Sequence, residues 1–175
     1  KRLEDAVASN DFIYGVICGS GINQDGASNG ITAPNGAAQE ELIVDVYEKY
    51  GINPENITYV EAHGTGTKLG DPIEGNALVR AFKKFTTKRS YCSVGSAKSH
   101  VGHTGAAAAV TGLIKVLQSL KHKQIPSLLH FAALNPLIEF ADSPFYISTQ
   151  VTEWKSIGDA PRMAALNSFG HSGTN

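Results

Sequence analysis

Two histidines, His63 and His103, stand in glycine-rich loops that each follow a β-prone run and precede a predicted helix. Imidazole is the side chain best suited to donate or accept a proton near neutral pH. In open α/β sheets, sites gather at the carboxyl ends of the strands. The two rings could therefore converge on one substrate oxygen, with the helix start after His103 favouring negative charge. The alternative is that each ring is bonded to loop backbone, and the pattern alone leaves both interpretations open.

The elements that must position these loops alternate along the chain. Apolar, β-branched runs predict strands, whereas apolar residues at helical spacing predict helices. The predicted strands cover residues 12–18, 57–62, 91–97, 145–149 and 163–166. The predicted helices cover residues 36–50, 72–85 and 105–121, the last two capped by Asp71 and Thr104. This order predicts one layered α/β domain with partly parallel strands.

Composition limits the classes of partner. The chain has 175 residues, 15 of them basic and 16 acidic, so its net charge is −1. That balance gives no reason to expect a nucleic acid or an anionic membrane as partner. Because only Cys18 and Cys92 occur, we expect no disulfide framework and a cytoplasmic, reducing location. Both thiols are interpreted as inert core side chains.

Three other patterns are weaker signals of chemistry. His100 and His103 have metal-ligand spacing, but no cysteine or carboxylate pattern completes a zinc set, so we expect no metal. The run GASNG at residues 26–30 matches the G-x-S-x-G nucleophile elbow without a strand before it or a helix after it, which favours a turn. The glycines at residues 19–21 and 64–67 lack the lysine and spacing of a phosphate loop.

Four segments carry motifs that are informative together. They are GSGINQDGASNGITAPNGAAQEELI (residues 19–43), VEAHGTGTKLGDPIEGNAL (60–78), GSAKSHVGHTGAAAAVTGLIKVL (95–117) and NSFGHSGTN (167–175). In this order they resemble the C-terminal part of a β-ketoacyl synthase domain from a modular type I polyketide synthase. The likeness spans essentially the whole chain.

The resemblance implies a thiolase-like fold of stacked α/β/α/β/α layers. Residues 1–175 would then form a partial domain that corresponds mainly to the C-terminal half. The implied reaction is a decarboxylative Claisen condensation. An acyl chain on a cysteine joins a malonyl-type extender held by acyl carrier protein, and two histidines stabilise the enolate.

The resemblance also implies roles for individual residues. His63 falls on the histidine of the family's HGTGT motif, His103 on that of its GHT motif, and Lys98 on its active-site lysine. Thr65 and Thr67 fall where the family contacts the phosphopantetheine arm.

Two further motif positions support the site. The loop at residues 169–173 falls where the family has a gating phenylalanine and an oxyanion-hole N–H, here Phe169, Gly170 and His171. Asp71 starts the helix behind the threonines and is expected to support the site structurally.

One departure from the family is decisive for the isolated chain. The family's nucleophilic cysteine lies in its N-terminal half, and neither Cys18 nor Cys92 matches its motif. We therefore expect an inactive fragment that needs the N-terminal half of the ketosynthase, with acyl carrier protein as partner and a homodimer as the full enzyme. No cofactor is expected to bind directly, since substrates arrive on phosphopantetheine. The alternatives are a non-condensing module that holds and transfers acyl chains, and a non-catalytic scaffold domain.

Overall fold

A computed structural model describes residues 1–28, 30 and 33–175. Its centre is a four-stranded sheet in which every neighbouring pair is parallel. The strands are β1 (Ile57–Glu61), β2 (Cys92–Gly95), β4 (Phe145–Ile147) and β6 (Met163–Leu166), in the spatial order β4-β2-β1-β6. A short antiparallel pair, β3 (Gln124–Ile125) and β5 (Thr152–Glu153), was not expected from the sequence.

The helices are α1 (Leu3–Ala8), α2 (Gly36–Tyr50), α3 (Gly70–Lys83), α4 (Lys98–Val101) and α5 (Ala108–His122), with single 3-10 turns at Pro54–Asn56 and Gly105–Ala107. Two of them, α3 and α5, lie on opposite faces of the sheet. Adjacent residues of a strand point to opposite faces. Val60 accordingly packs in one core cluster with Leu78 and Phe82 of α3, while Tyr59 packs in a second with Val116 of α5 and Trp154. The result is a layered α/β arrangement, as predicted.

The prediction of a buried strand at residues 12–18 is wrong. The segment pairs with no strand in the part of the chain that the structure describes, and Phe12 and Ile17 are 73% and 78% exposed. Its backbone instead lies close to α5. A Cβ atom at Gly15 would come within 2.8 Å of the Leu117 side chain of that helix. Cys18 is consequently exposed rather than a core thiol, whereas Cys92 is buried in β2 as predicted.

Helix starts also differ from the predicted ones. Helix α3 begins at Gly70 after Leu69, so Asp71 lies in its first turn and its side chain accepts a hydrogen bond from the Gly66 N–H (3.0 Å) instead of capping the helix. Thr104 makes no side-chain cap, since its hydroxyl lies 3.2 Å from that of Thr111. A 3-10 turn separates it from α5, which begins only at Ala108.

Candidate functional site

His63 lies two residues beyond the end of β1, beside the loop that follows β6. Its Nδ1 accepts a hydrogen bond from the backbone N–H of Phe169 at 3.3 Å, and the Phe169 ring lies 5.5 Å from the imidazole, centroid to centroid. A neutral imidazole has one acceptor nitrogen and one N–H. Because Nδ1 is the acceptor, this contact assigns the proton of the neutral ring to Nε2.

His103 is held in the same way from a different part of the chain. Its Nδ1 accepts the backbone N–H of Gly105 at 3.1 Å, which again assigns the ring proton to Nε2. The two imidazole centroids are 5.7 Å apart with their planes at 85°. The structure therefore brings together the two histidines that the sequence singled out, and gives both the same tautomer.

Electrostatics keep His63 uncharged. Burial, then the nearby Lys98 and His103, lower the pKa of His63 from 6.5 to about 4. Lys98 lies on α4, and its Nζ donates to the backbone oxygen of His63 at 2.5 Å. Burial lowers the pKa of Lys98, while Glu74, Glu61 and Asp71 act in the opposite direction.

Glu74 is a site residue that the sequence reasoning missed. One carboxylate oxygen accepts the N–H of His63 (2.8 Å) and the side-chain amide of Asn167 (3.1 Å), and the other accepts the N–H of Gly64 (2.8 Å). The side chain is buried, and burial raises its pKa. The sequence signal that could have identified it is the position of Glu74, one helical turn after Asp71 and facing back towards the preceding loop.

Glycine conformations shape the loop between His63 and α3. Gly64 and Gly66 have φ values of 45° and 75°, which side-chain-bearing residues rarely adopt. Within the loop, the hydroxyls of Thr65 and Thr67 lie 3.3 Å apart, and that of Thr67 accepts the N–H of Gly70. Burial raises the pKa of Asp71, whose carboxylate holds the loop at Gly66.

Both threonines line a cavity of about 900 Å³. Its other walls come from Lys98, from the carboxyl end of β2 and from the segment at residues 128–138. This space is large enough for an extended ligand of moderate size.

The loop at residues 169–173 folds back on itself beside His63. The Gly170 N–H donates to the oxygen of Thr174 (2.6 Å), and Gly173 has a φ of 86°. Asn175 fixes this loop to the segment at Asn23, because each donates its backbone N–H to the other's oxygen. His171 is exposed at the tip of the loop, so the structure places the Phe169 backbone, not the His171 ring, against the histidine pair.

The remaining sequence candidates lie apart from the histidine pair. His100 is exposed on α4, with its Nδ1 3.0 Å from the Ser99 hydroxyl. Across residues 1–28, 30 and 33–175, no three His, Cys, Asp or Glu side chains are grouped as metal ligands. Burial raises the pKa of the Cys92 thiol, which makes it a poor nucleophile. In the run at residues 26–30, Asn29 lies outside the described residues.

Comparison with known proteins decides the family. The family model described as "Beta-ketoacyl synthase, C-terminal domain" matches residues 14–132. The chain belongs to the β-ketoacyl synthases. Among solved structures, the ketosynthase from module 6 of the bacillaene synthase of Bacillus subtilis 168 superposes with a TM-score of 0.98 at 53% identity, covering 99% of this chain and 32% of that one. The resemblance noted in the sequence and the thiolase-like fold are thereby confirmed.

The relatives of this β-ketoacyl synthase chain are much longer proteins. It is 53% identical to polyketide synthase PksL of Bacillus subtilis over 175 residues, which are 100% of this chain and 4% of that protein. It is 44% identical to polyketide synthase ThaG of Burkholderia thailandensis, again over the whole chain and 3% of that protein. The chain is thus the C-terminal part of a ketosynthase of the polyketide synthase type, and it spans about a third of the solved ketosynthase chain. None of the helices described is both long and apolar enough to cross a bilayer.

Proposed function

We propose that this chain supplies the enolate-stabilising half of a ketosynthase that performs decarboxylative Claisen condensation. The observation that supports this most directly is the pair of imidazoles whose Nδ1 atoms are both occupied by backbone N–H groups. Each ring then has its Nε2–H free to donate. Two N–H groups on rings whose centroids are 5.7 Å apart can both donate hydrogen bonds to one oxygen that lies between them.

The proposed reaction places charge where these donors lie. The bond between the α-carbon and the carboxylate of the malonyl thioester breaks, carbon dioxide leaves, and the electron pair moves onto the thioester oxygen. The Nε2–H groups of His63 and His103 stabilise that enolate as an oxyanion hole does. The α-carbon then attacks the acyl thioester on the cysteine outside this chain, a C–C bond forms, and the cysteine leaves as thiolate.

Other residues hold this arrangement in place. Lys98, with its Nζ on the His63 backbone oxygen, fixes the first histidine and helps to keep it neutral. Thr65 and Thr67 line the 900 Å³ cavity, and their hydroxyls would bond the amides of a pantetheine arm that enters it. Phe169 gates the site, with Gly170 and His171 forming the rest of that loop.

The proposal extends to the assembly. The long relatives are polyketide synthases, which supports a multidomain context with acyl carrier protein as partner. The N-terminal half of the ketosynthase would supply the cysteine, and residues 1–175 would form part of that single domain. We expect a cytoplasmic homodimer whose substrates arrive on phosphopantetheine, with no cofactor bound directly.

The test uses the complete ketosynthase domain that carries this chain. His63→Ala and His103→Ala should each lower the rate of β-ketoacyl product formation by about 10²–10³-fold, the usual cost of losing one oxyanion-hole donor. His122→Ala is the matched control, since His122 is an exposed histidine at the end of α5 and should leave the rate unchanged.

Two outcomes would contradict the proposal. Unchanged product formation in both site variants would remove the histidines from the mechanism. Transfer of the acyl chain by the wild-type domain without release of carbon dioxide would indicate an acyl-holding module instead.

A further inference from the structure

Glu61, the last residue of β1, is a buried carboxylate with no place in the reaction above. It is 2% exposed. Its Oε2 accepts the Tyr59 hydroxyl at 2.7 Å and pairs with Lys115 Nζ of α5 at 3.0 Å. Its Oε1 accepts a short hydrogen bond from the backbone N–H of Ala97. One side chain thus joins β1 to α5 and to the start of α4.

Stability is a poor explanation for this ion pair. Taking both charges out of water costs several kcal/mol per ion, and apolar replacements of such pairs are often neutral or stabilising. Lys115 is also nearly buried, with its side chain 13% exposed, and burial lowers the pKa of Lys115. A hydrogen-bonded carboxylate does, however, fix the groups it bonds in one geometry.

The group fixed here is the start of α4. That helix has only four residues and no side-chain cap, and so short a helix does not hold its position by itself. Glu61 holds it at Ala97, and the next residue, Lys98, reaches back to the His63 oxygen. The two bonds close a ring. It runs along the chain from Glu61 to His63, across to Lys98, to the neighbouring Ala97 and back to Glu61.

Helix α5 is brought to the same carboxylate. Gly112 allows the approach, because a Cβ there would lie 3.1 Å from Glu61 Cγ. Lys115, one turn further along α5, completes the contact. Since α5 follows the turn that holds His103, Glu61 is linked to both sides of the histidine pair.

From these contacts we infer that Glu61 is a positioning residue for the condensation, and that its bond to the Ala97 N–H sets the place of Lys98 and His63 relative to His103. Lys115 neutralises the carboxylate so that it can be buried. This inference rests on the proposed function, because it concerns the rate of that reaction.

Two neutral double variants of the complete ketosynthase domain separate positioning from charge. Glu61→Gln with Lys115→Met removes both charges but keeps an oxygen that can accept the Ala97 N–H. Glu61→Met with Lys115→Met removes the charges and the acceptor at similar volume. Neither leaves an unpaired buried charge, but Glu61→Met also takes the acceptor from the buried Ala97 N–H and Tyr59 hydroxyl, so the second variant should unfold at a lower temperature than the first. Rates are therefore compared at a temperature at which both variants are folded.

The expected result is a split between the two variants. The Met/Met variant should lose about 10–100-fold in kcat with little change in KM for the malonyl carrier, as misplacement of reacting groups by about 1 Å does. The Gln/Met variant should keep kcat within about threefold of wild type, since the acceptor remains. Glu40→Gln is the control, because Glu40 is also an ion-paired carboxylate, bonded to Arg80 and Lys84, but it lies on α2, away from the histidines.

A second measurement does not depend on activity. Amide hydrogen exchange at Ala97 should be faster in the Met/Met variant and near wild type in the Gln/Met variant. A Met/Met variant that keeps the wild-type kcat overturns the inference, and so do equal losses in both variants, which would show that the charge is what matters. If the wild-type domain forms no β-ketoacyl product, the proposed function fails, and the exchange contrast alone decides whether Glu61 holds α4.

Discussion

The Phe169 N–H sets the chemistry of His63, because it occupies Nδ1 and leaves Nε2 as the donor. At this scale the sequence predicted the two histidines from residue type and loop position, and the family resemblance added Lys98. It could not predict the tautomer, since the donors to Nδ1 come from Gly105 and from a loop 106 residues away. It also missed Glu74 and Glu61, whose importance arises only when backbone N–H groups from separate segments converge on them.

His63 should gain a proton only at a pH well below the usual range of a histidine. The pKa of His63 is lowered from 6.5 to about 4, mainly by burial, so the ring should stay neutral until the pH falls to about 4. An unfolded chain takes up this proton at about pH 6.5. The free energy of unfolding should therefore decrease as the pH falls from about 6.5 to about 4. The decrease should be smaller than the whole pKa shift implies, because the ring is partly exposed.

Nuclear magnetic resonance of histidine ring carbons in the complete ketosynthase domain measures this directly. A His63→Gln variant assigns the resonance, and the exposed His122 serves as the reference within the same spectrum. A His63 midpoint near 6.5 would contradict the neutral, buried ring on which the enolate role depends.

Helices and strands were predicted well where local pattern and packing agree. Helix α2 and strand β6 have the predicted bounds. Gly51, in the left-handed region, ends α2, and β6 is a short apolar run that pairs with β1. The predicted strand at residues 12–18 failed for a physical reason. A strand needs a neighbouring strand to satisfy its backbone N–H and C=O groups. In the described part of the chain, no strand pairs with this segment.

Helix α5 packs closely against β1 at Gly112. Gly112→Ala would gain about 1 kcal/mol in helix propensity. It would also place a methyl group 3.1 Å from Glu61 Cγ and 3.3 Å from Leu166 Cδ1. Because Glu61 is held by three hydrogen-bonding partners, it cannot move aside, and such overpacking costs about 1–3 kcal/mol. The free energy of unfolding should fall by about 1 kcal/mol net.

Chemical denaturation checks this, with Ser119→Ala in the same helix as the control. Ser119 is buried and its hydroxyl has no hydrogen-bonding partner among the described residues, so its replacement should leave stability unchanged or raise it. A Gly112→Ala protein that is more stable than wild type would show that α5 has room beside Glu61.

The whole molecule exposes an apolar surface that a compact domain would bury. Phe12, Tyr14 and Ile17 are exposed before α2, and Val110 and Ile114 are exposed on α5. Large apolar side chains that are exposed together mark a binding interface or an aggregation risk where they form one patch. Under the proposed function, these side chains would contact the rest of the ketosynthase and a dimer partner.

The isolated chain should therefore self-associate and form no β-ketoacyl product. Neither of its cysteines is suited as the nucleophile, since neither matches the family's cysteine motif and Cys92 is also buried in β2. Sedimentation measures the first expectation, and mass spectrometry after incubation with an acyl thioester tests the second. A clean monomer with one cooperative unfolding transition, or acylation at a single cysteine, would contradict them.

The central claim is that His63 and His103 together stabilise the enolate formed by decarboxylation. The most direct test is the single-turnover rate of carbon dioxide release from a malonyl carrier by the complete, acyl-loaded ketosynthase domain. His63→Ala and His103→Ala should each slow this release by about 10²–10³-fold. Release at the wild-type rate in either variant, with the domain folded and acyl-loaded, would contradict it.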